Sequence, residues 1–509
     1  MSAARHATIP EVLAAGEASL TAIAAPARKP LSRGDLTRLA DRTRGALRAC
    51  GIGQGDAVAV IMPNGPEMAA AFIAVASSAI AAPFNSAYRA EEFDFYLGDL
   101  DAKALVIEAG RDSPARTVAA NRNIPIIELA PEEEGPAGSF ALSVPFSDQK
   151  ASPPKPEDVA LVLHTSGTTS RPKIVPLRHR NLAASAGNIA ATLALTPADR
   201  CLVIMPLFHI HGLVGALLSS LWAKASVFCP PGFNAFKFFG WLDESEATWY
   251  TAVPTMHQAI LARAERNADV LSRRSIRVIR SSSASLPPQV MSELERAFGC
   301  PVVESYGMTE ASHQMTSNPL PPRPRKPGSV GPPAGPEIAI MRADGGLTSQ
   351  GEPGEVVIRG ENVTWGYANN PKANAEAFID GWFRTGDEGR LDGDGYLHLT
   401  GRLKEIINRG GEKIAPREVD DVLMDHPAVA QVVTFALPHD KLGEEVAAAV
   451  VLYEEKSASE QELRAFAATR LADFKVPRRI VFLPEIPKGA TGKLQRIGLA
   501  QRLGLSGSG

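Results

Sequence analysis

Ala57-Val-Ala-Val-Ile-Met62 is an uninterrupted apolar run, entered through the breaker Gly51-Ile-Gly-Gln-Gly-Asp56. A strand apolar at every position has no solvent face, so it belongs in a sheet covered on both sides, as a parallel sheet is. Helical apolar spacing before it (residues 36–50) and after it (residues 67–78) supplies the covering. Outward from there the rhythm continues. Residues 91–100 read as helix and 104–107 as strand, and short apolar runs recur at 159–163, 201–205, 225–228, 248–252, 276–280 and 301–304. Strands alternating with helices predict an α/β domain, whose ligands bind beyond the carboxyl ends of the strands.

From about Gly328 the texture changes to short strands and turns, at 337–342, 354–359 and 395–399. Helices at 416–425 and 460–471 then belong to a small α+β unit. The expected organisation is a large N-terminal domain of α/β layers, residues 1–403, with a β-rich subdomain at about 328–403. A small α+β domain follows at 404–509.

Composition is ordinary for a globular chain: 509 residues, 45% hydrophobic and 21% charged. Lys and Arg number 53 against 56 Asp and Glu, a net −3, which argues against nucleic-acid or membrane-surface binding driven by bulk charge. Cys50, Cys201, Cys229 and Cys300 are scattered without a C-x-x-C pair, so neither a disulfide framework nor a thiolate zinc site is expected. No secretory signal is legible at the start of the chain and no lipidation or SKL-type address at its end. The longest apolar stretch, 68–84, is Ala-rich and too weakly apolar for a membrane span. These features predict a cytoplasmic location. Nothing in the sequence assigns an oligomeric state.

The sharpest local signal is His164-Thr-Ser-Gly-Thr-Thr-Ser-Arg-Pro-Lys173, directly after the strand Ala160-Leu-Val-Leu163. Backbone N–H groups and hydroxyls in such a loop can surround phosphate oxygens while the lysine neutralises charge. A flexible surface linker has similar composition, but the preceding strand and the closing Pro-Lys favour the phosphate reading. Neither a Walker A loop nor a strand-linked G-x-G-x-x-G is present.

The loop resembles the phosphate loop of the adenylate-forming superfamily of acyl-CoA synthetases, luciferases and peptide-synthetase adenylation domains. Further stretches extend the resemblance in order along nearly the whole chain. Met205-Pro-Leu-Phe-His-Ile-His-Gly212 resembles the aromatic gate, Tyr306-Gly-Met-Thr-Glu310 the Y-G-x-T-E motif, and Gly381-Trp-Phe-Arg-Thr-Gly-Asp387 the W-x-x-T-G-D motif. Gly401-Arg-Leu-Lys-Glu405 with Gly411-Glu-Lys-Ile-Ala-Pro416 is similar to the hinge and the loop after it. Pro487-Lys-Gly-Ala-Thr-Gly-Lys-Leu-Gln-Arg496 is similar to the C-terminal lysine motif.

The resemblance implies an AMP-forming acid–CoA ligase that uses ATP, Mg²⁺ and coenzyme A. In it Thr165, Ser166, Gly167, Thr168, Thr169 and Lys173 hold the β- and γ-phosphates, Thr309 contacts the α-phosphate and Glu310 binds Mg²⁺. Asp387 accepts from the ribose and Arg402 reaches ribose or phosphate. Tyr306 stacks on adenine beside Glu304 and Ser305, with Ser283, Ala284 and Ser285 along the adenine. Lys493 reaches the reacting carboxylate during adenylation. Rotation about Lys404 then replaces it with the Gly410–Gly411 loop beside the pantetheine channel, with His209 as the gate. His211 reads as packing. A metal held by the H-x-H pair His209/His211 would require both on one strand face and a third ligand, which nearby sequence does not offer.

Two positions depart from the usual loop: Ser170 stands where Gly is frequent, and Ile174 follows Lys173 where Gly is usual. Ile disfavours positive φ, so either a strand starts at once after Lys173 or nucleotide affinity is reduced. Segments 82–88, 247–254, 280–286 and 310–315 resemble the oxalate–CoA ligase branch. There His313, helped by Ser281 or Ser283, would pair with the second carboxylate of a small dicarboxylate. The alternatives are a fatty- or aromatic-acid ligase, an amino-acid adenylation domain (which commonly carries F-D-x-S where Phe208-His-Ile-His stands), a luciferase-like oxygenase, and a nucleotide-binding protein without activity.

Overall fold

The computed structural model describes residues 6–145, 152–165, 172–487 and 496–505. Two largely parallel sheets form the large domain. One has eight strands: Thr21–Ala24, Leu31–Ser32, Arg200–Leu202, Ser226–Phe228, Trp249–Ala252, Val278–Ser281, Val302–Met308 and His313–Ser317. The other has seven, with Ala57–Ile61 at its centre between Ile80–Pro83 and Ala104–Glu108. The inner pairs are parallel and the edges antiparallel, as at Val159–Thr165 with Lys173–Arg178. Ala57–Ile61 is buried at all five positions, as its uniform apolarity predicts.

The layers follow from which side chains pack together. Between the sheets one core joins Val58, Val60 and Leu161 to Val203, Val227 and Val303 across the helices Arg33–Ala49, Pro66–Ala76 and His179–Thr192. In Pro66–Ala76 every residue but Glu67 is buried. A helix apolar all round requires cover on all sides, and two sheets provide it. The stretch 68–84 is thus this helix and the strand Ile80–Pro83. Among the described residues no helix is long and apolar enough to cross a membrane. Helices Phe238–Ser245, Pro254–Ala264 and Pro288–Phe298 cover the outer face of one sheet. Ala90–Asp99 and Pro114–Asn121 cover that of the other.

The β-rich stretch forms an antiparallel five-stranded sheet from Glu337–Met341, Gly354–Arg359, Phe378–Ile379, Trp382–Leu391 and Leu397–Arg402. From Ile407 onward a second five-stranded sheet, with helices Pro416–Met424 and Glu460–Ala468, has its own cores. Several strands shift from their expected bounds: 201–205 is Arg200–Leu202, 276–280 is Val278–Ser281, and 301–304 extends to Val302–Met308. The last shift carries the Tyr-Gly-Met of the Y-G-x-T-E motif onto a strand, because it finds an antiparallel partner in His313–Ser317.

Candidate active site

The base of the phosphate loop is a two-stranded corner in which Thr165 faces Lys173 and His164 faces Ile174. Ser166, Gly167, Thr168, Thr169 and Ser170 lie outside the described residues. Ile174 is 7% exposed, and its carbonyl accepts the Ala368 N–H at 3.0 Å. The strand therefore starts at Lys173, and a β-branched residue fits a buried extended position. Of the two readings of Ile174, this is the one the structure bears out.

Beside that corner the strand Val302–Met308 ends in a single 3-10 turn, Thr309–Ala311. Glu310, on this turn, is buried and accepts from the Tyr367 hydroxyl at 3.0 Å. The Lys173 ammonium lies 4.3 Å from the centre of the Tyr367 ring. Burial pushes the Glu310 carboxyl up, against the hydrogen bond from Tyr367 and the charges of Arg402 and Lys173. A buried hard-oxygen donor next to the phosphate loop fits Mg²⁺, which would supply the missing counter-charge.

Tyr306, nearly buried, donates its hydroxyl to Asp387. Asp387 pairs in register with Arg402 on the neighbouring strand, with Arg402 Nε 3.3 Å from its Oδ1. Burial and this carboxylate push the Tyr306 phenol well up, so it remains a donor, and Asp387 holds the half-exposed Arg402 in its charged form. Glu304, 1% exposed, accepts the Leu286 N–H at 2.9 Å, and burial pushes its carboxyl up to about 7. The Ser305 hydroxyl donates to the Ser281 carbonyl at 3.2 Å. These bonds tie the 281–286 segment, with Ser283, Ala284 and Ser285, to the Y-G-x-T-E strand.

His211 requires a correction. It begins a buried π-helix, His211–Leu218, rather than sitting on a strand, so the H-x-H pair shares no strand face. Among the described residues no group of three or more His, Cys, Asp or Glu could hold a metal. Nor is His211 mere packing. Its Nδ1 lies 3.0 Å from the Ser283 hydroxyl and its Nε2 2.6 Å from that of Thr251, and its ring stacks on His313 at 4.7 Å. His313 is 1% exposed, and its Nε2 lies 2.9 Å from Arg280 Nη1. Positive φ at Ser283 (72°), Ser312 (49°) and His313 (101°) marks strained backbone, costing on the order of 1–3 kcal/mol each and clustered as at functional sites. The π-helix approaches closely, because a Cβ at Gly215 would lie 2.7 Å from the His313 ring. The structure thus gathers His211, His313, Ser283 and Thr251 into one largely buried polar cluster, with Ser281 at the end of the adjoining strand Val278–Ser281.

His209 and Thr309 line a neighbouring cavity walled by Phe84, Tyr88, Tyr96 and Phe208, in which His164 lies 3.2 Å from Asp99. In the small domain Lys404 occupies an exposed turn between Leu397–Arg402 and Ile407–Arg409. Gly410 (φ 59°) and Gly411 (φ 100°) form the two-residue hairpin from Ile407–Arg409 to Glu412–Ile414, where both positions need the left-handed region. Lys493 lies outside the described residues. Arg496, three residues on, ion-pairs with Asp420 and lies 3.4 Å from Glu405.

Sequence reasoning did not single out Tyr367 or Gly215, which carry no motif, nor give a site role to Thr251 or Arg280, although both lie in segments that resemble the oxalate–CoA ligase branch. For Arg280 a charged residue closing the apolar run 276–280 was a second signal.

Residues 12–368 match the family model described as AMP-binding enzyme, and residues 418–493 the AMP-binding enzyme C-terminal domain. The oxalate–CoA ligase of Arabidopsis thaliana is 49% identical over 460 residues, covering 89% of each chain. That of Saccharomyces cerevisiae is 43% identical over 473 residues, covering 88% of this chain and 86% of its own. The ATP-bound crystal structure of MatB from Rhodopseudomonas palustris superposes with a TM-score of 0.85 at 29% identity, over 96% of this chain and 97% of the other. With two family models spanning most of its length and such relatives, the chain belongs to the AMP-binding enzyme family.

Proposed function

We propose that this enzyme is an ATP-dependent acid–CoA ligase whose acid is oxalate. The observation that carries the choice of acid is the buried polar cluster beside the π-helix. An acyl chain needs apolar walls, whereas His211, His313, Ser283 and Thr251 offer imidazoles and hydroxyls. The names of the two oxalate–CoA ligase relatives support the same acid.

A carboxylate is a poor acyl donor because oxide is a poor leaving group. In the first half-reaction a carboxylate oxygen attacks the α-phosphorus of ATP, and diphosphate leaves with the electrons of the broken P–O bond. In the second the CoA thiolate attacks the acyl carbon, AMP leaves, and acyl-CoA forms. Neither step needs a protein nucleophile, so the chain's work is positioning and charge stabilisation.

In this reading Thr165, residues 166–169 and Lys173 hold the tripolyphosphate tail. Thr309 contacts the α-phosphate, and Glu310, braced by Tyr367, would hold Mg²⁺, which would supply positive charge against the phosphates. Asp387 and Arg402 orient the ribose, while Tyr306, Glu304, Ser305 and 283–285 border the adenine. Lys493 bridges carboxylate and phosphate during adenylation. Lys404 is the hinge that exchanges it for Gly410 and Gly411 beside the CoA channel, gated by His209. Residues 1–403 and 404–509 are the two moving units. The four cysteines are free, which fits a reducing, cytoplasmic setting.

Diphosphate release over a panel of acids, with and without CoA, tests the reading. Oxalate is expected to support it, and turnover of octanoate or coumarate with none of oxalate rejects the acid. Lys493→Ala is expected to lose adenylation while still converting a supplied acyl-adenylate. Undiminished diphosphate release by that variant removes the lysine's role.

A further inference from the structure

Arg280 is completely buried, and among the described residues no carboxylate pairs with it. A buried guanidinium normally keeps an acidic partner, since an uncompensated charge in the interior is strongly unfavourable. Here Nη1 donates to His313 Nε2 at 2.9 Å and Nη2 to Gln314 Oε1 at 3.2 Å, while Nε has no partner. Burial pushes the guanidinium down to about 9, which still leaves it charged at neutral pH. An arginine has only donors. His313 Nε2 must therefore accept, so the ring is neutral with its proton on Nδ1. That nitrogen faces Gly307, since a Cβ there would lie 3.1 Å from it, on the strand that also carries Tyr306.

Resting on the dicarboxylate reading above, we propose that Arg280 is a positioning residue for the acid. It fixes His313 as the neutral Nδ1–H tautomer, and its uncompensated charge, one imidazole away, makes the pocket select an acid with a second negative group. Titratable groups packed around the pair include His211 from the π-helix, whose ring stacks on that of His313, and the buried Cys201 thiol, pushed well up and so uncharged. The substrate's distal carboxylate would be the counter-ion that no described residue provides.

The test compares Arg280→Met, Arg280→Lys and the double variant Arg280→Met/His313→Asn in the full-length enzyme, reading KM for oxalate, KM for ATP and kcat from about pH 5.5 to 8.5, a window that brackets the imidazole. For Arg280→Met the oxalate KM is expected to rise about 10–100-fold at neutral pH, with the ATP KM unchanged. That loss should shrink below about pH 6, where His313, freed of its cationic neighbour, takes a proton and restores a positive charge. The double variant should show no such recovery, and Arg280→Lys should lie between wild type and Arg280→Met. A parallel rise of both KM values with falling kcat at every pH would assign Arg280 to the scaffold and overturn the proposal.

Should the variants not fold, ¹⁵N chemical shifts of His313 in the wild-type enzyme at neutral pH decide the matter. An Nδ1–H neutral ring is expected, and an Nε2–H ring or an imidazolium refutes the proposal. Wild-type enzyme inert toward oxalate rejects the acid assignment alone, because the tautomer is read without substrate.

Discussion

Replacing Gly215 by alanine probes the acid pocket with a single carbon. The new Cβ would lie 2.7 Å from His313 Cδ2 and Nε2 and 3.0 Å from His211 Cδ2. Carbon contacts settle at about 3.5–4.0 Å, so the His313 ring must retreat by roughly 0.8 Å and the His211 ring by roughly 0.5 Å. Neither moves freely. His313 Nε2 is held by Arg280 at 2.9 Å, and His211 by Ser283 and Thr251 at 3.0 and 2.6 Å. Stretching the Arg280 bond by the His313 displacement takes it to about 3.7 Å, beyond hydrogen-bonding range. Two opposing terms set the stability. Alanine in a helix gains about 0.5–1 kcal/mol over glycine, while overpacking a tight core costs about 1–3 kcal/mol. A net loss of roughly 0.5–2 kcal/mol is expected. A hydrogen bond to a charged group contributes about 1.5–3 kcal/mol, so losing it raises the oxalate KM about 10–150-fold. The ATP KM should stay put, because Thr165, Lys173, Glu310 and Asp387 are untouched. Diphosphate release at varied oxalate and ATP, with urea denaturation of the same preparation, measures all three quantities. An unchanged oxalate KM with an equal or higher denaturation midpoint would refute the packing argument and, with it, the location of the acid pocket.

Three further outcomes follow from other contacts. Ile174→Gly should not improve ATP binding. It should destabilise the chain by about 3–5 kcal/mol, through a cavity at a buried strand position and a freer backbone, which calorimetric ATP titration and urea midpoints report. Tyr367→Phe removes the 3.0 Å bond to Glu310, and the Mg²⁺ concentration for half-maximal adenylation should rise about 10–150-fold as a charge-assisted bond is lost. Glu304 is pushed from an ordinary 4.5 up to about 7. Below pH 4.5 both folded and unfolded chains hold its proton, so it costs nothing there. Between 4.5 and 7 the unfolded chain ionises first and stability falls, and above 7 the penalty is constant. Glu304→Gln should therefore match wild type near pH 4 and exceed it above pH 7 by on the order of 2–3 kcal/mol, as denaturation at the two pH values will show.

The periodic and the contiguous were legible from the residues alone. Ala57-Val-Ala-Val-Ile-Met62 could only be a strand covered on both faces, and the alternation around it required parallel sheets. Thr165 closes the strand Val159–Thr165, and Thr309 and Glu310 follow the end of Val302–Met308, as ligand-binding residues do in this architecture, whereas Asp387 lies within the antiparallel strand Trp382–Leu391. What neither pattern nor motif could convey was contact between distant segments. Tyr306 meeting Asp387, Tyr367 bracing Glu310, and Ile174 finding its place opposite His164 depend on strand pairing and layer packing. The polar cluster beside the π-helix shows this most plainly. His211 read as packing because its partners Thr251, Ser283 and His313 are 40, 72 and 102 positions away, and Gly215 carried no signal because its role is to be missing a carbon. Periodicity records what each element does with water, so one sequence suffices for it. A pocket is made where separate elements converge, and only the folded chain brings them together.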